Sequence, residues 1–274
     1  MALIEKLTAI ADAIRGKTGT EDKLTLEQMA EEINNLSIGS NLDEYITNTL
    51  IKYENSEVTT VKKYLFAGST IEKVSLPNVT QLDYGAFMYC TNLKEVYLPK
   101  LEKITDIYCF TGCTSLEALN LPNLKTTSSY AFADCSALRI LNVPQLTVVD
   151  AQAFRNCTSL IELYFPNVTT VYTSGFGGCS ALEKVVFDKS VGFVRQTIFN
   201  NCSSLTALVL RGETLSTLSY TNVFQGTPIE AGTGYIYVPQ ALIEDYKVAT
   251  NWITYAEQFR AIEDYPEICG GGTQ

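Results

Sequence analysis

The sequence predicts a solenoid of about seven or eight stacked repeats of about 22 residues, with a parallel β-sheet running along the stack. The motif Phe-x-x-Cys-[Thr/Ser]-x-Leu recurs through most of the 274 residues. An apolar alternation follows each motif, as in Leu119 and Leu121, and indicates one short strand per repeat. A repeat this short cannot cover both faces of its strand, so neighbouring repeats must stack to bury them.

Phenylalanine and cysteine mark the repeats at fixed positions. The phenylalanines are Phe87, Phe110, Phe132, Phe154, Phe176, Phe199 and Phe224. The cysteines follow the first six of them as Cys90, Cys113, Cys135, Cys157, Cys179 and Cys202. Stacking places equivalent residues of adjacent repeats about 4.7–4.9 Å apart, so both types are expected to form continuous buried ladders. Proline ends the strand in four repeats, at Pro99, Pro122, Pro144 and Pro166, where its missing N–H suits a strand end.

The cysteine ladder admits three interpretations: inert buried thiols, disulfides or a metal site. Parallel in-register side chains would need to rotate to reach a disulfide torsion. The chain contains no histidine to share a zinc site. We therefore expect the six thiols to pack as small hydrophobic groups and expect no metal and no cofactor. Cys109 and Cys269 fall outside the ladder, and we expect Cys109 to be the more exposed or reactive of the two.

These repeats resemble the leucine-rich repeat family, and its BspA-type (LRR_5) bacterial variety in particular, whose unit reads A-F-x-x-C-x-x-L-x-x-[VI]-x-[LI]-P. Matching segments are AFMYCTNLKEVYLP at 86–99, AFADCSALRILNVP at 131–144 and AFRNCTSLIELYFP at 153–166. The resemblance covers about residues 60–240. It implies a right-handed leucine-rich repeat solenoid with a parallel sheet, and a protein-binding or adhesion function.

Residues 1–40 differ from the repeats and predict an α-helical hairpin. Leu3, Leu7, Ile10 and Ile14 form a narrow apolar stripe, and Leu26, Met29, Ile33 and Leu36 form a second one with the same spacing. Two short helices bury little surface by themselves. They either cap the first repeat or act as an oligomerisation or docking module, for which a homotrimer is the expected state. Residues 3–33 are also similar to the leader of tail-associated structural proteins of phages and prophages of Gram-positive bacteria.

The expected organisation is therefore a helical module at 1–40, the solenoid at 41–240, and a helical cap with a flexible tail at 241–274. The segment 235–264 is similar to those that end BspA-type arrays, with a last strand followed by helices. Trp252 and Phe259 are expected to close the open end of the stack. Gly270, Gly271 and Gly272 make the tail flexible by composition.

Composition and charge exclude several classes of function. A net charge of −10 disfavours nucleic acid as a partner. No apolar run approaches 18 residues, so no membrane insertion is expected. Glu5 and Asp12 interrupt the N-terminus, which is therefore not read as a Sec signal peptide. The lack of histidine removes the commonest general base. The recurrent Asp83, Asp106 and Asp150 are interpreted as solvated corners or as caps of short helical turns, so no enzyme is predicted.

The outward side of the strands is the candidate binding face, because strand alternation points the residues between the core positions outwards. That row runs Ser75, Tyr97, Asn120, Asn142, Tyr164, Val186, Val209 and Tyr237. The candidate ligand-binding residues are Tyr97, Asn120, Asn142, Tyr164, Tyr235 and Tyr237. Tyrosine and asparagine are common in recognition surfaces. The alternative is that tyrosine and valine are present because they favour strands.

The sequence predicts a non-enzymatic adhesion or receptor-binding protein that binds a protein or glycan on a cell surface. The leader resemblance suggests a phage or prophage tail component, located on the virion. The alternative is a bacterial cell-surface or secreted adhesin of the BspA type. A glycan hydrolase that relies on carboxylates is the third and least favoured hypothesis.

Overall fold

The computed structural model describes residues 52–270, which form a parallel β-solenoid. The strands in chain order are β1 (Lys52–Glu54), β2 (Thr60–Val61), β3 (Lys73–Ser75), β4 (Gln81–Leu82), β5 (Glu95–Tyr97), β6 (Lys103–Ile104), β7 (Ala118–Asn120), β8 (Ile140–Asn142), β9 (Val148–Val149), β10 (Glu162–Phe165), β11 (Thr170–Val171), β12 (Lys184–Phe187), β13 (Gly192–Phe193), β14 (Ala207–Leu210), β15 (Thr217–Leu218), β16 (Tyr235–Val238) and β17 (Phe259–Ala261). The predicted helices of residues 1–40 lie outside the described residues.

These strands lie in two rows along the stack. The long row contains β1, β3, β5, β7, β8, β10, β12, β14, β16 and β17, and the short row contains the other seven. Every pair is parallel, and adjacent repeats are in register, as in Leu163 opposite Val185 and Val185 opposite Leu208. The predicted parallel solenoid is confirmed. The long row has ten strands rather than seven or eight turns, because β1 and β17 extend it beyond the phenylalanine-marked repeats.

The phenylalanine ladder forms the centre of the core. Ring centroids of successive phenylalanines from Phe66 to Phe224 lie between 5.0 and 5.7 Å apart, with planes within 12° of parallel. The rings from Phe87 onwards are completely buried. Leucines of the strands, such as Leu119 and Leu163, pack against them. Each repeat thus contributes one ring to a continuous stack whose contacts are with the preceding and following repeats.

The turn that carries each phenylalanine forms a third wall, which we call the turn side. Its main chain is hydrogen-bonded between repeats: the N–H of Phe87 donates to the carbonyl of Cys109 at 2.8 Å, and that of Phe132 donates to Ala153 at 2.8 Å. The same bond recurs from Phe110 to Ala131 and from Phe154 to Gly175. The backbone N–H and C=O groups on this wall therefore have hydrogen-bond partners in adjacent repeats, although the wall, within the described residues, contains no β-strand.

The ladder cysteines are buried and free, and each thiol also has a hydrogen-bond partner. The thiol of Cys113 donates to the carbonyl of Phe87 at 3.2 Å, and that of Cys157 donates to Phe132 at 3.2 Å. The other four ladder thiols repeat the contact at distances between 2.8 and 3.1 Å. The thiol is thus a small apolar group and also a donor to the preceding repeat.

The expectation that Cys109 is exposed or reactive is wrong. Cys109 is completely buried, in the position that alanine holds before Phe132 and Phe154. Its Sγ lies 3.2 Å from the carbonyl oxygens of Asp83 and Asp106. Burial raises the pKa of this thiol to about 12, so the nucleophilic thiolate is strongly disfavoured.

The chain after β16 covers the last turn of the stack. It contains helix α1 (Ile243–Val248), helix α2 (Pro266–Cys269) and short 3-10 helices at Gln240–Leu242, Trp252–Gln258 and Ile262–Asp264, while a further 3-10 helix, Thr221–Phe224, lies before β16. Trp252 is buried, packs near Phe224 and Phe259, and donates its Nε1 proton to the Ser216 carbonyl at 2.7 Å. β17 pairs with β16, so the long row continues past residue 240.

Candidate ligand-binding face

The exposed part of the long row is a strip from the middle repeats. We call it the open face and define it as Tyr97, Ala118, Asn120, Ile140, Asn142 and Tyr164, all of which are exposed. Four successive strands, β5, β7, β8 and β10, place these residues side by side. With about 4.8 Å between neighbouring strands, the open face is about 14 Å long from Tyr97 to Tyr164.

The chemistry of the open face is amphipathic and neutral at its centre. Ile140 is 55% exposed and lies beside Asn142, whose Nδ2 donates to Asn120 Oδ1 at 2.9 Å. This bond leaves donor and acceptor positions on both amides for a ligand. Charged residues lie at the ends of the strip and are paired, Glu95 with Lys73 at 2.6 Å and Glu162 with Lys184 at 2.9 Å. A ligand at the centre therefore meets apolar and hydrogen-bonding groups without a net charge.

The prediction that Tyr237 is available to a ligand is wrong. Tyr237 points outwards but is only 3% exposed, and Val186 and Val209 are buried with it. The reason is that residues 262–270, which we call the cover segment, fold back over the outer side of β12, β14 and β16. The side chains that cover this part of the face are Ile262, Tyr265, Ile268 and Cys269.

Tyr235, the other candidate on β16, is only half-buried. The guanidinium of Arg260 lies 4.2 Å from the centroid of its ring, a cation–π contact that occupies this ring. Of the six predicted residues, the structure therefore brings Tyr97, Asn120, Asn142 and Tyr164 together on an accessible strip. It separates Tyr235 and Tyr237 from them.

A hydrogen-bonded network marks the boundary between the open face and the cover segment. The Tyr164 hydroxyl donates to the Asp188 carboxylate, and Arg211 Nη1 donates to the other Asp188 oxygen at 3.0 Å. Arg211 Nη2 donates to the carbonyl of Cys269 in the cover segment. The hydrogen bond to Asp188 is the main cause that raises the pKa of Tyr164, so the phenol stays protonated and held in place.

Sequence reasoning missed the cover segment. The only indication in the sequence is that Ile262, Tyr265 and Ile268 recur every three residues. This apolar stripe is too short to show whether the segment covers the sheet or forms a helix that caps the stack. Within residues 52–270, no cluster of three or more histidine, cysteine or acidic side chains could hold a metal ion. The open face offers amides, phenols and apolar groups, which is chemistry for binding a partner by contact area and hydrogen bonds.

A stack of short parallel strands with a leucine and phenylalanine core and an outward recognition strip defines a leucine-rich repeat solenoid. The model of the BspA type leucine rich repeat region matches the chain in six copies, over residues 25–139, 89–206 and 125–233. This chain belongs to the BspA-type leucine-rich repeat family. Repeat proteins of this kind generally bind other proteins.

Solved structures of leucine-rich proteins share the fold. A leucine rich cell surface protein from Faecalibacterium prausnitzii A2-165 is 24% identical, with a TM-score of 0.53 over 59% of this chain and 45% of that one. A leucine rich repeat protein from T. pallidum is 28% identical, with a TM-score of 0.50 over 54% of this chain and 72% of that one. The chain thus spans less than half the length of the first of these proteins.

No curated protein sequence matches the chain significantly. The helices within residues 52–270 are all too short or too polar to cross a membrane.

Proposed function

We propose that this protein is a non-enzymatic adhesion or receptor-binding protein that captures a protein ligand on a cell surface through its open face. The observation that carries the proposal is the division of one sheet face into two parts. The chain's own cover segment packs on Val186, Val209 and Tyr237, while the rest of residues 52–270 leave the adjoining Tyr97 to Tyr164 strip exposed. One part of this sheet face thus holds a peptide segment of the chain, and the adjoining part is available to a partner.

The side chains of the open face support recognition of a protein rather than a charged polymer. Tyr97 and Tyr164 are 57% and 37% exposed and supply contact area at a small cost in side-chain entropy. Asn120 and Asn142 can donate to and accept from a partner's main chain. Ile140 between them provides apolar surface that a complex would bury.

Replacing Tyr164 with alanine is expected to leave folding nearly intact and to weaken binding about tenfold, because a partly exposed ring is removed from the recognition strip. The measurement is binding of labelled protein to intact bacterial cells, with the melting temperature determined in parallel. Cells pretreated with protease should lose binding if the ligand is a protein. Tyr220→Ala is the matched control, since Tyr220 is 49% exposed but lies away from the long row. Equal binding by both variants would exclude the open face.

Two settings are proposed for this activity. The resemblance of residues 3–33 to leaders of phage tail proteins favours a virion component, in which a trimer formed through residues 1–40 would multiply weak sites by avidity. The alternative, a bacterial cell-surface or secreted adhesin, is supported by the similarity to the F. prausnitzii cell surface protein.

Light scattering on the full chain and on a chain without residues 1–40 separates the two settings. A trimer that becomes a monomer on truncation is the expected result for the virion component, because the apolar stripes of the leader would form its interface. A monomer in both cases would remove the assembly role of the leader and favour the surface adhesin.

A further inference from the structure

The geometry points to a second binding surface, on the turn side of the first repeats, for a neutral oligosaccharide. Its centre is a tyrosine strip, defined as Tyr64, Tyr84, Tyr108 and Tyr130. The ring centroids of successive members lie 5.2, 5.8 and 4.9 Å apart. Tyr64 is 44% exposed, and Tyr84, Tyr108 and Tyr130 are half-buried. At about 4.8 Å per repeat the strip is about 14 Å long, which is the size of a short oligosaccharide.

Backbone conformation indicates that the turn does not require tyrosine at three of these positions. Tyr64, Tyr108 and Tyr130 have φ of 58°, 63° and 59°, in the left-handed region that disfavours bulky side chains. In later repeats the same position holds the smaller or more flexible residues Gln152, Ser174 and Thr197. Strain of this kind is concentrated at functional sites in proteins. Contacts between the rings offset part of the strain.

Tyr89, which stands two residues after Phe87 in its turn, gives the same indication without such ring contacts. Its φ is 57°, its ring is 56% exposed, and it pairs with no other ring within residues 52–270. The equivalent position holds Asp134 and Asn156 in later repeats, which are residue types that accept this conformation readily. A large aromatic group that is exposed in a strained position is better explained by a ligand than by packing in the core.

Glycines in the following repeats make room for two of these rings, those of Tyr64 and Tyr89. A Cβ atom at Gly85 would come 2.8 Å from the Tyr64 ring, and one at Gly112 would come closer still to the Tyr89 ring. Both glycines also have positive φ, of 57° and 73°. The rings of Tyr64 and Tyr89 thus pack closely on the following turn, while the planes of successive rings in the tyrosine strip differ by 76°, 65° and 29°.

Planar polar groups border the aromatic surface. Gln152 Nε2 donates to the Tyr130 hydroxyl at 2.7 Å, and Asn156 Nδ2 donates to Asp134 Oδ1 at 2.8 Å. Pyranose rings present an apolar C–H face that packs on aromatic rings, and adjacent hydroxyls that pair with amides and carboxylates. This surface therefore combines both requirements for a sugar.

The charged residues around the tyrosine strip have both signs, which favours a neutral sugar as the ligand. The ammonium of Lys63 lies 5.1 Å and 5.0 Å from the ring centroids of Tyr64 and Tyr84 at one end. Asp134 and Asp150 lie towards the other end, where Arg155 is also present and donates to Gln152. A strongly anionic or cationic polymer would meet both attraction and repulsion along this length.

The test uses the full chain on an array of immobilised neutral and charged polysaccharides, followed by calorimetry with a soluble fragment of the neutral one that binds best. The double variant Tyr108→Asn/Tyr130→Asn is expected to bind about tenfold more weakly, because both rings are lost. Its melting temperature is expected to be unchanged or higher, since asparagine accepts the left-handed conformation better than tyrosine does. Ser174→Asn/Thr197→Asn is the matched control at the same turn position, and its affinity should equal that of the wild type.

This result is independent of the function proposed for the open face, because Tyr164→Ala should leave the binding of the neutral polysaccharide unchanged. Absence of binding to any neutral polysaccharide would overturn the inference. So would equal affinity of the wild type and Tyr108→Asn/Tyr130→Asn, or binding confined to charged polysaccharides.

Discussion

Truncation of Phe154 to alanine is expected to lower the free energy of unfolding by about 3–5 kcal/mol. Phe154 is completely buried, and its ring stacks between Phe132 at 5.2 Å and Phe176 at 5.7 Å. The cavity cannot collapse easily, because the main chain on both sides is fixed by hydrogen bonds to adjacent repeats. Urea denaturation followed by circular dichroism measures the change.

The loss should also reduce cooperativity, because each repeat of a solenoid is stabilised mainly by its neighbours. A break in the phenylalanine ladder at Phe154 is expected to make the repeats on its two sides unfold at different urea concentrations. Ile140→Ala is the control, since Ile140 is 55% exposed and its truncation should cost about 0.5 kcal/mol or less. A similar loss for both variants would mean that the ladder does not hold the stack together.

Raising the pH above 9 is expected to destabilise the fold steeply. Burial raises the pKa of Cys109 to about 12 and holds those of Cys113, Cys157 and Cys179 well above their usual value. An unfolded thiol releases its proton near pH 8.5, so above that pH the folded state binds more protons and loses stability as the pH rises. Each of the four thiols contributes about 1.4 kcal/mol per pH unit, or together about 5–6 kcal/mol per pH unit.

The stabilising contribution of these thiols is complete below about pH 8.5 and is lost as the pH rises towards the pKa of the folded thiols. Buried Tyr255, whose pKa burial raises to about 12, adds to the loss above pH 10 or so. Urea denaturation in reducing buffer between about pH 7 and 10.5 measures the slope. Cys113→Ala/Cys157→Ala/Cys179→Ala should show a slope smaller by about 4 kcal/mol per pH unit. A free energy of unfolding that stays constant up to pH 10.5 or so would contradict the prediction.

The solenoid could be predicted because the residues that specify it lie within each repeat and recur in the next. The spacing of the phenylalanines and cysteines and the alternation that ends in Leu119 and Leu121 each specify a turn that fits the next one. The exposure of Tyr97, Asn120, Asn142 and Tyr164 likewise follows from alternation along a strand, which depends on each strand alone.

The remainder depends on contacts that a repeat pattern does not encode. Tyr237 obeys the same alternation as Tyr164, yet it is buried because a segment from the end of the chain returns over it. Cys109 departs from the ladder in sequence, but it occupies an alanine position of the turn and is therefore enclosed like its neighbours. The left-handed backbone at Tyr64 and Tyr108 could not be predicted either. This conformation is normally predicted from glycine, asparagine or aspartate, and not from tyrosine.

The hydrogen bonds of the turn side bear on how such a protein can change during evolution. The N–H groups of the ladder phenylalanines from Phe66 to Phe199 bond to the next turn, and each ladder thiol bonds to the turn before. The middle turns therefore offer the same donors and acceptors at their two ends. A duplicated stretch of coding sequence of one period would therefore insert a complete turn and restore all bonds at both junctions. Unequal recombination between similar repeats could in this way lengthen or shorten the array and change the distance between its two ends. The added turns would use the same packing and hydrogen bonds as the existing ones.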